Sequence, residues 1–244
     1  MNIKAQIPNL FTMLNLFSGC VALVMVSNSK LDFAFYFVCL GIFFDFFDGY
    51  FARKFNVAGP LGVQLDSLAD MVTSGLVPGY VMYHLLSFNG GFMKVVTDVT
   101  IFQISFLGFI ITLAACYRLA KFNIDERQSD SFIGLPTPAN ALFIVSLPLV
   151  ISEFQGNSFS EFLINKWVLL AITFLSAYIM NAEIPLFSLK IKDFTFSKYK
   201  LQVFFLALSL VMLIFLQMLA VPMIIIIYVL VSIINNILIK KASN

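Results

Sequence analysis

Four aspartates, Asp45, Asp48, Asp66 and Asp70, stand inside stretches made otherwise of apolar residues. A carboxylate at mid-membrane costs roughly 2.5–3.5 kcal/mol on insertion scales, so an ionisable group in such a stretch has a task by default. At 100° per residue, Asp45, Asp48, Gly49 and Ala52 share one helical face, and Gly62, Asp66 and Asp70 form an i, i+4, i+8 stripe on a second helix. The connection 54–60 is short, so the two helices are antiparallel neighbours whose acidic faces meet. Carboxylates that face one another repel and need a compensating positive charge. Hard oxygen donors at this density suit one or two divalent cations such as Mg²⁺ or Mn²⁺. Paired metals are the usual device for displacement at phosphorus, where they stabilise the attacking and leaving oxygens together. Gly49 and Gly62 clear room for a bulky phosphate near a helix backbone, and Arg53 on the same flank can grip phosphate oxygens bidentately. A metal site has two rivals here. Polar residues that glue helices together would account for a single aspartate. A cation or proton transporter is the rival of a different class, although transporter sites usually lie near the bilayer midplane on interrupted helices.

The elements that must hold these residues are membrane spans. Of 244 residues, 60% are hydrophobic and 11% charged, against about 25% charged in soluble domains. So little charge cannot cover a globule in water, and the 29 phenylalanines suit a surface bathed in acyl chains. At roughly 20 apolar residues per crossing, the chain divides into eight segments: 9–27, 32–53, 61–86, 98–119, 137–153, 164–182, 199–219 and 221–239. Pro222 marks a tight junction between the last two, or a kink that would reduce the count to seven. The expected fold is an all-α polytopic bundle forming one domain over residues 1–244. With both termini cytoplasmic, twelve Lys and Arg residues fall inside and only Lys30, Lys94 and Lys166 outside, the bias that orients membrane proteins. The acids then crowd toward the cytoplasmic side. The N-terminus carries no cleavable signal pattern. A net charge of +2 is too small to attract nucleic acid. Cys20, Cys39 and Cys116 fit no disulfide or metal-ligand spacing and read as packing residues.

From Asp45 to Asp70 the sequence runs Asp-x-x-Asp-Gly-x-x-Ala-Arg, eight residues, then Gly-x-x-x-Asp-x-x-x-Asp. This resembles the signature of the CDP-alcohol phosphotransferase family at every fixed position: Asp45, Asp48, Gly49, Ala52, Arg53, Gly62, Asp66 and Asp70. Three further stretches resemble its phosphatidylserine synthase branch: Pro8-Asn9-Leu10-Phe11-Thr12 running to Asn15-Leu16, Arg118 to Asn123, and Phe132 to Pro138. The resemblance implies a homodimeric enzyme embedded among membrane lipids, with a cytoplasm-facing cavity that binds CDP-diacylglycerol. The acceptor it implies is L-serine. It further implies that Asp45, Asp48, Asp66 and Asp70 hold two divalent ions and that Asp70 is the general base. Gly49, Ala52, Arg53, Gly62, Asn9 and Thr12 would then contact the CDP-lipid. Val63 stands where many members carry a basic residue, and Ala58-Gly59 where many carry a hydroxyl, so nucleotide contacts from that loop would fall to backbone groups.

The alcohol side can be read from charge. Serine is a zwitterion, whose carboxylate asks for Arg or Lys and whose ammonium asks for carbonyls, amides or an acid. Arg118, Lys121 and Asn123 cluster at the cytoplasmic end of the fourth span and are the candidate serine-binding residues. Glycerol 3-phosphate and inositol phosphate, the alternative acceptors, would require a denser basic pocket. His84 is expected far from the acids, at the outer end of the third span. Gly75 and Gly79 bracket Pro78, a pattern that suits close helix packing with a kink, or a dimer contact.

Overall fold

The computed structural model describes residues 3–87, 104–125, 132–187 and 200–242. The start of the expected fourth span, at 98–103, and the charges Lys94, Arg127, Lys190, Lys192 and Lys198 lie outside them. The described residues form a bundle of ten α-helices: α1 Ile3–Ser27, α2 Leu31–Lys54, α3 Pro60–Asp70, α4 Val77–Ser87, α5 Ile110–Ile124, α6 Thr137–Glu153, α7 Ser158–Ile164, α8 Lys166–Asn181, α9 Lys200–Leu216 and α10 Ala220–Ala242. A two-residue antiparallel pair, β1 Phe132–Ile133 with β2 Pro185–Leu186, is the only strand pairing among the described residues.

Packing follows from apolar residues at helical spacing. Val26, Val38, Val77, Met82, Ile111, Ile144, Leu169 and Met180 are fully buried between helices. Large apolar residues such as Phe17, Phe46, Leu113, Trp167 and Phe215 face outward instead, a surface that only lipid can cover at low cost. Three helical runs, Gln6–Ser27, Ile104–Ile124 and Leu201–Leu238, are long and apolar enough to cross a membrane. The pair α7 and α8, bent by 61°, makes a fourth if counted as one span. The protein is therefore an integral membrane protein.

The three helices around the acids are locked in register. α1 and α2 run antiparallel, joined at Ser29 with φ 58°; Phe11 of α1 stacks on Phe47 and Phe51 of α2, with centroids 5.8 and 5.2 Å apart. α3 begins with Pro60 in its first turn, where a missing N–H costs nothing, and runs parallel to α1. Between α3 and α4 lies a π-helical segment, Met71–Leu76, so that the expected third span is one helix of changing pitch. The cause is Pro78, which has no N–H for the Ser74 carbonyl; the preceding turn widens, and the Val77 N–H reaches back five residues to the Val72 carbonyl. Gly75 and Gly79 serve packing within the chain. A Cβ on Gly75 would lie 3.3 Å from the Ala115 Cβ, and one on Gly79 would strike the Thr112 hydroxyl, both on α5.

The C-terminal run folds back on itself. The Phe205 and Tyr228 rings are 5.7 Å apart, whereas 23 residues of straight helix would separate them by about 34 Å. α9 and α10 are thus antiparallel arms. The reversal occurs at Gln217, with φ 48°, and not at Pro222, which sits in the first turn of α10 where proline is tolerated.

Candidate functional site

The antiparallel pairing of α2 with α3 brings the acids together. Carboxylate oxygens of Asp45, Asp48 and Asp66 all lie within 4.8 Å of one another. Each is anchored or left open in a particular way. Thr12 of α1 donates its hydroxyl to Asp48 Oδ2 at 2.7 Å, and Asp48 is buried. Asp66 Oδ1 is buried with no hydrogen-bond partner among the described residues. Three convergent carboxylates with an unsatisfied buried oxygen suit a hard divalent cation, which is bound through oxygen. Asp70 falls outside this 4.8 Å grouping but interacts electrostatically with all three of its members. It is buried, accepts a hydrogen bond from Asn15 Nδ2 at 3.2 Å, and interacts electrostatically with Arg118 across from α5. The expected four-acid cluster is therefore a trio with a fourth member one turn deeper.

A cavity of about 370 Å³ opens beside the trio, within the usual range of small-molecule sites. Asp48 and Asp66 line it together with Asn9, Thr12, Gly49, Ala52, Arg53 and Gly62, so all six residues expected to contact the lipid nucleotide line one cavity, from α1, α2 and α3. Gly49 leaves room for the Arg53 guanidinium, which folds across the helix so that a Cβ at position 49 would lie 3.3 Å from its Nη1. Gly62 leaves open space, its nearest neighbour being Asn9 Oδ1 at 3.9 Å from a built Cβ. Ala58, Gly59 and Val63 also line the cavity. They offer no side-chain hydrogen bond, which leaves that rim to backbone groups.

The three residues expected at the acceptor site share α5 and have different partners. Arg118 is buried beside Asp70, and its Nε has no partner among the described residues. Its guanidinium also lies 5.9 Å from the Phe122 ring centroid. Lys121 instead pairs with Glu183 at 3.6 Å, and Asn123 exchanges hydrogen bonds with Ser67 of α3 at 2.9–3.2 Å. Those two contacts tie α5 to the end of α8 and to α3. His84 lies away from the acids, against Ser29 at the turn between α1 and α2, at 3.2 Å.

Sequence reasoning missed Asn15 as a site residue. It is fully buried, and its Oδ1 lacks a partner among the described residues. Asn15 falls in a stretch that resembles the serine branch, but its reach to Asp70 depends on the parallel register of α1 and α3.

A helical membrane protein with a partly buried acid trio beside a cavity that Asp48, Asp66 and Arg53 help to line has the make-up of a membrane-embedded enzyme, with a site suited to a divalent cation. Residues 5–179 match the profile of CDP-alcohol phosphatidyltransferase, and the chain belongs to that family. It is 29% identical over 215 residues to a CDP-diacylglycerol–serine O-phosphatidyltransferase of Helicobacter pylori, covering 86% of this chain and 81% of that protein. It is 33% identical over 145 residues to the Bacillus subtilis enzyme of the same name, covering 58% and 74%. With the Methanocaldococcus jannaschii enzyme of that name it shares 33% over 158 residues, covering 65% and 68%.

Proposed function

We propose that the protein transfers the phosphatidyl group of CDP-diacylglycerol to L-serine, forming phosphatidylserine and releasing CMP. The observation that carries this reading is the cavity in which the trio's Asp48 and Asp66 meet every residue expected to touch the nucleotide. The names of the similar enzymes support serine as acceptor. Family membership also displaces the transporter reading.

In this reading Asp45, Asp48 and Asp66, with Asp70 as the fourth ligand, hold two divalent ions, Mg²⁺ or Mn²⁺. Bound there, the ions would offset the charge of the diphosphate and of the departing CMP. Arg53 grips diphosphate oxygens, with Gly49, Ala52 and Gly62 giving the backbone access, while Asn9 and Thr12 close the α1 side. Asp70 accepts the proton of the serine hydroxyl as its oxygen attacks the phosphatidyl phosphorus. The bond from that phosphorus to the CMP oxygen breaks, and CMP leaves with the electron pair. Arg118 receives the serine carboxylate, with Lys121 and Asn123 at the rim. The whole chain forms one domain with eight crossings, acts as a homodimer, and has its site and both termini on the cytoplasmic side.

The test uses membranes containing the protein, CDP-diacylglycerol and a divalent metal, with serine, glycerol 3-phosphate or inositol phosphate added separately. CMP release with serine alone is the expected result. Release with another acceptor alone would keep the chemistry and reject the acceptor.

A further inference from the structure

We infer that Asn15 is the positioning residue of Asp70, holding one carboxylate oxygen so that the other faces the acceptor hydroxyl. The inference rests on the reading of Asp70 as the base.

Asn15 is fully buried on α1, and its Nδ2 donates to Asp70 Oδ1 at 3.2 Å. An ionised carboxylate accepts hydrogen bonds and cannot donate them, so Asp70 dictates which end of the Asn15 amide turns toward it. Asn15 Oδ1, meanwhile, has no partner among the described residues. The amide orientation therefore serves Asp70 and satisfies nothing else, a use of a buried polar atom that needs a reason.

The backbone that carries the amide is itself held. The Thr73 hydroxyl, in the π-helical segment, donates to the Asn15 backbone carbonyl at 3.0 Å. Two glycines allow this approach. A Cβ on Gly41 of α2 would lie 2.7 Å from Thr73 Cγ2 and 2.9 Å from Asn15 Oδ1, and one on Gly19 of α1 would strike the Thr73 hydroxyl. Three helices thus meet at backbone distance directly behind Asp70. The widened turn just after Asp70 places Thr73 against α1. Asn15 reaches the carboxylate without lining the cavity of the lipid nucleotide, so its effect should fall on turnover and spare donor binding.

The experiment measures kcat and both KM values for wild type, Asn15→Ala, Asn15→Asp and Thr73→Val in detergent-solubilised protein, alongside melting temperature and CDP-diacylglycerol binding. Asn15→Asp preserves shape but loses the amide donor. Asn15→Ala and Asn15→Asp should both lower kcat by roughly tenfold to a hundredfold, the scale of a small misplacement of a reacting group. Donor binding and the CDP-diacylglycerol KM should stay within about twofold of wild type on the same reasoning. Thr73→Val should lower kcat less than either. Wild-type kcat in both Asn15 variants would overturn the inference. So would loss of donor binding and melting temperature in step with activity, which marks a structural residue. An inactive wild type with serine would instead overturn the proposed function, and wild-type kcat in Asp70→Asn would overturn the base assignment and the inference with it.

Discussion

At the scale of single residues, the acids divide into a trio and a deeper fourth, and their substitutions should divide likewise. Asp45→Asn, Asp48→Asn and Asp66→Asn each remove a charge from carboxylates within 4.8 Å of one another. Each variant should stay folded, since repulsion falls, yet CMP release should be nearly abolished. EDTA should do the same to the wild type, and full activity in EDTA-stripped protein would reject the metal reading. Asp70→Asn should bind CDP-diacylglycerol nearly as wild type while turnover slows by roughly 10²–10⁴-fold, the range of a lost general base. Equal loss of binding would make Asp70 a structural ligand first. Arg118→Lys tests the acceptor site: lysine keeps the charge but not the planar fork, so the serine KM should rise while the CDP-diacylglycerol KM holds. An unchanged serine KM would move the acceptor elsewhere. The four acids with Gly49, Ala52 and Gly62 were legible because a helix repeats every 3.6 residues and the spacing put them on one face of each of two helices, whereas Asn9 and Thr12 were reached only through the resemblance to the family. Lys121 and Asn123 show where that reading stops. Polarity near a span end marked them, but only the tertiary contacts with Glu183 and Ser67 reveal what they hold.

At the scale of elements, the site depends on how closely α1, α2 and the π-helical turn approach one another. Gly41→Ala places a methyl group 2.7 Å from Thr73 Cγ2 and 2.9 Å from Asn15 Oδ1. Overpacking of this kind costs about 1–3 kcal/mol, so the melting temperature should fall. Gly59→Ala is the matched control, because a Cβ there meets nothing within 4 Å and its backbone, at φ −154°, suits any residue; its melting temperature should match wild type. Equal melting temperatures for the two variants would mean that the helices can part without cost. The sequence shows a proline and two glycines and so points to a kink near Pro78. That the kink takes the form of a wide turn, and that it presents Thr73 to α1, depends on which carbonyl loses its donor and on what packs there. Neither is encoded in periodicity.

At the scale of the whole molecule, the open question from sequence was whether the last apolar run crosses the membrane once or twice. Pro222 drew attention as the break, because proline is the visible punctuation in such a run. The reversal instead falls at Gln217, a residue type with no turn preference, and was legible only through its consequence, the meeting of Phe205 with Tyr228. Parity makes this matter: a hairpin returns the chain to the side it left, which in the proposed topology keeps Lys240 and Lys241 with the other basic residues on the cytoplasmic side. One long span would strand them outside. Thiol labelling separates the two arrangements. Cys20, Cys39 and Cys116 are free and would first be replaced by alanine. Gln155→Cys, exposed between α6 and α7, should then react with a membrane-impermeant maleimide on intact cells, and Lys54→Cys, exposed at the end of α2, only after permeabilisation. Gln217→Cys should react from outside like position 155, since the hairpin lifts it to the outer surface. Were the run a single crossing, position 217 would sit among acyl chains near mid-bilayer and stay unlabelled in both preparations.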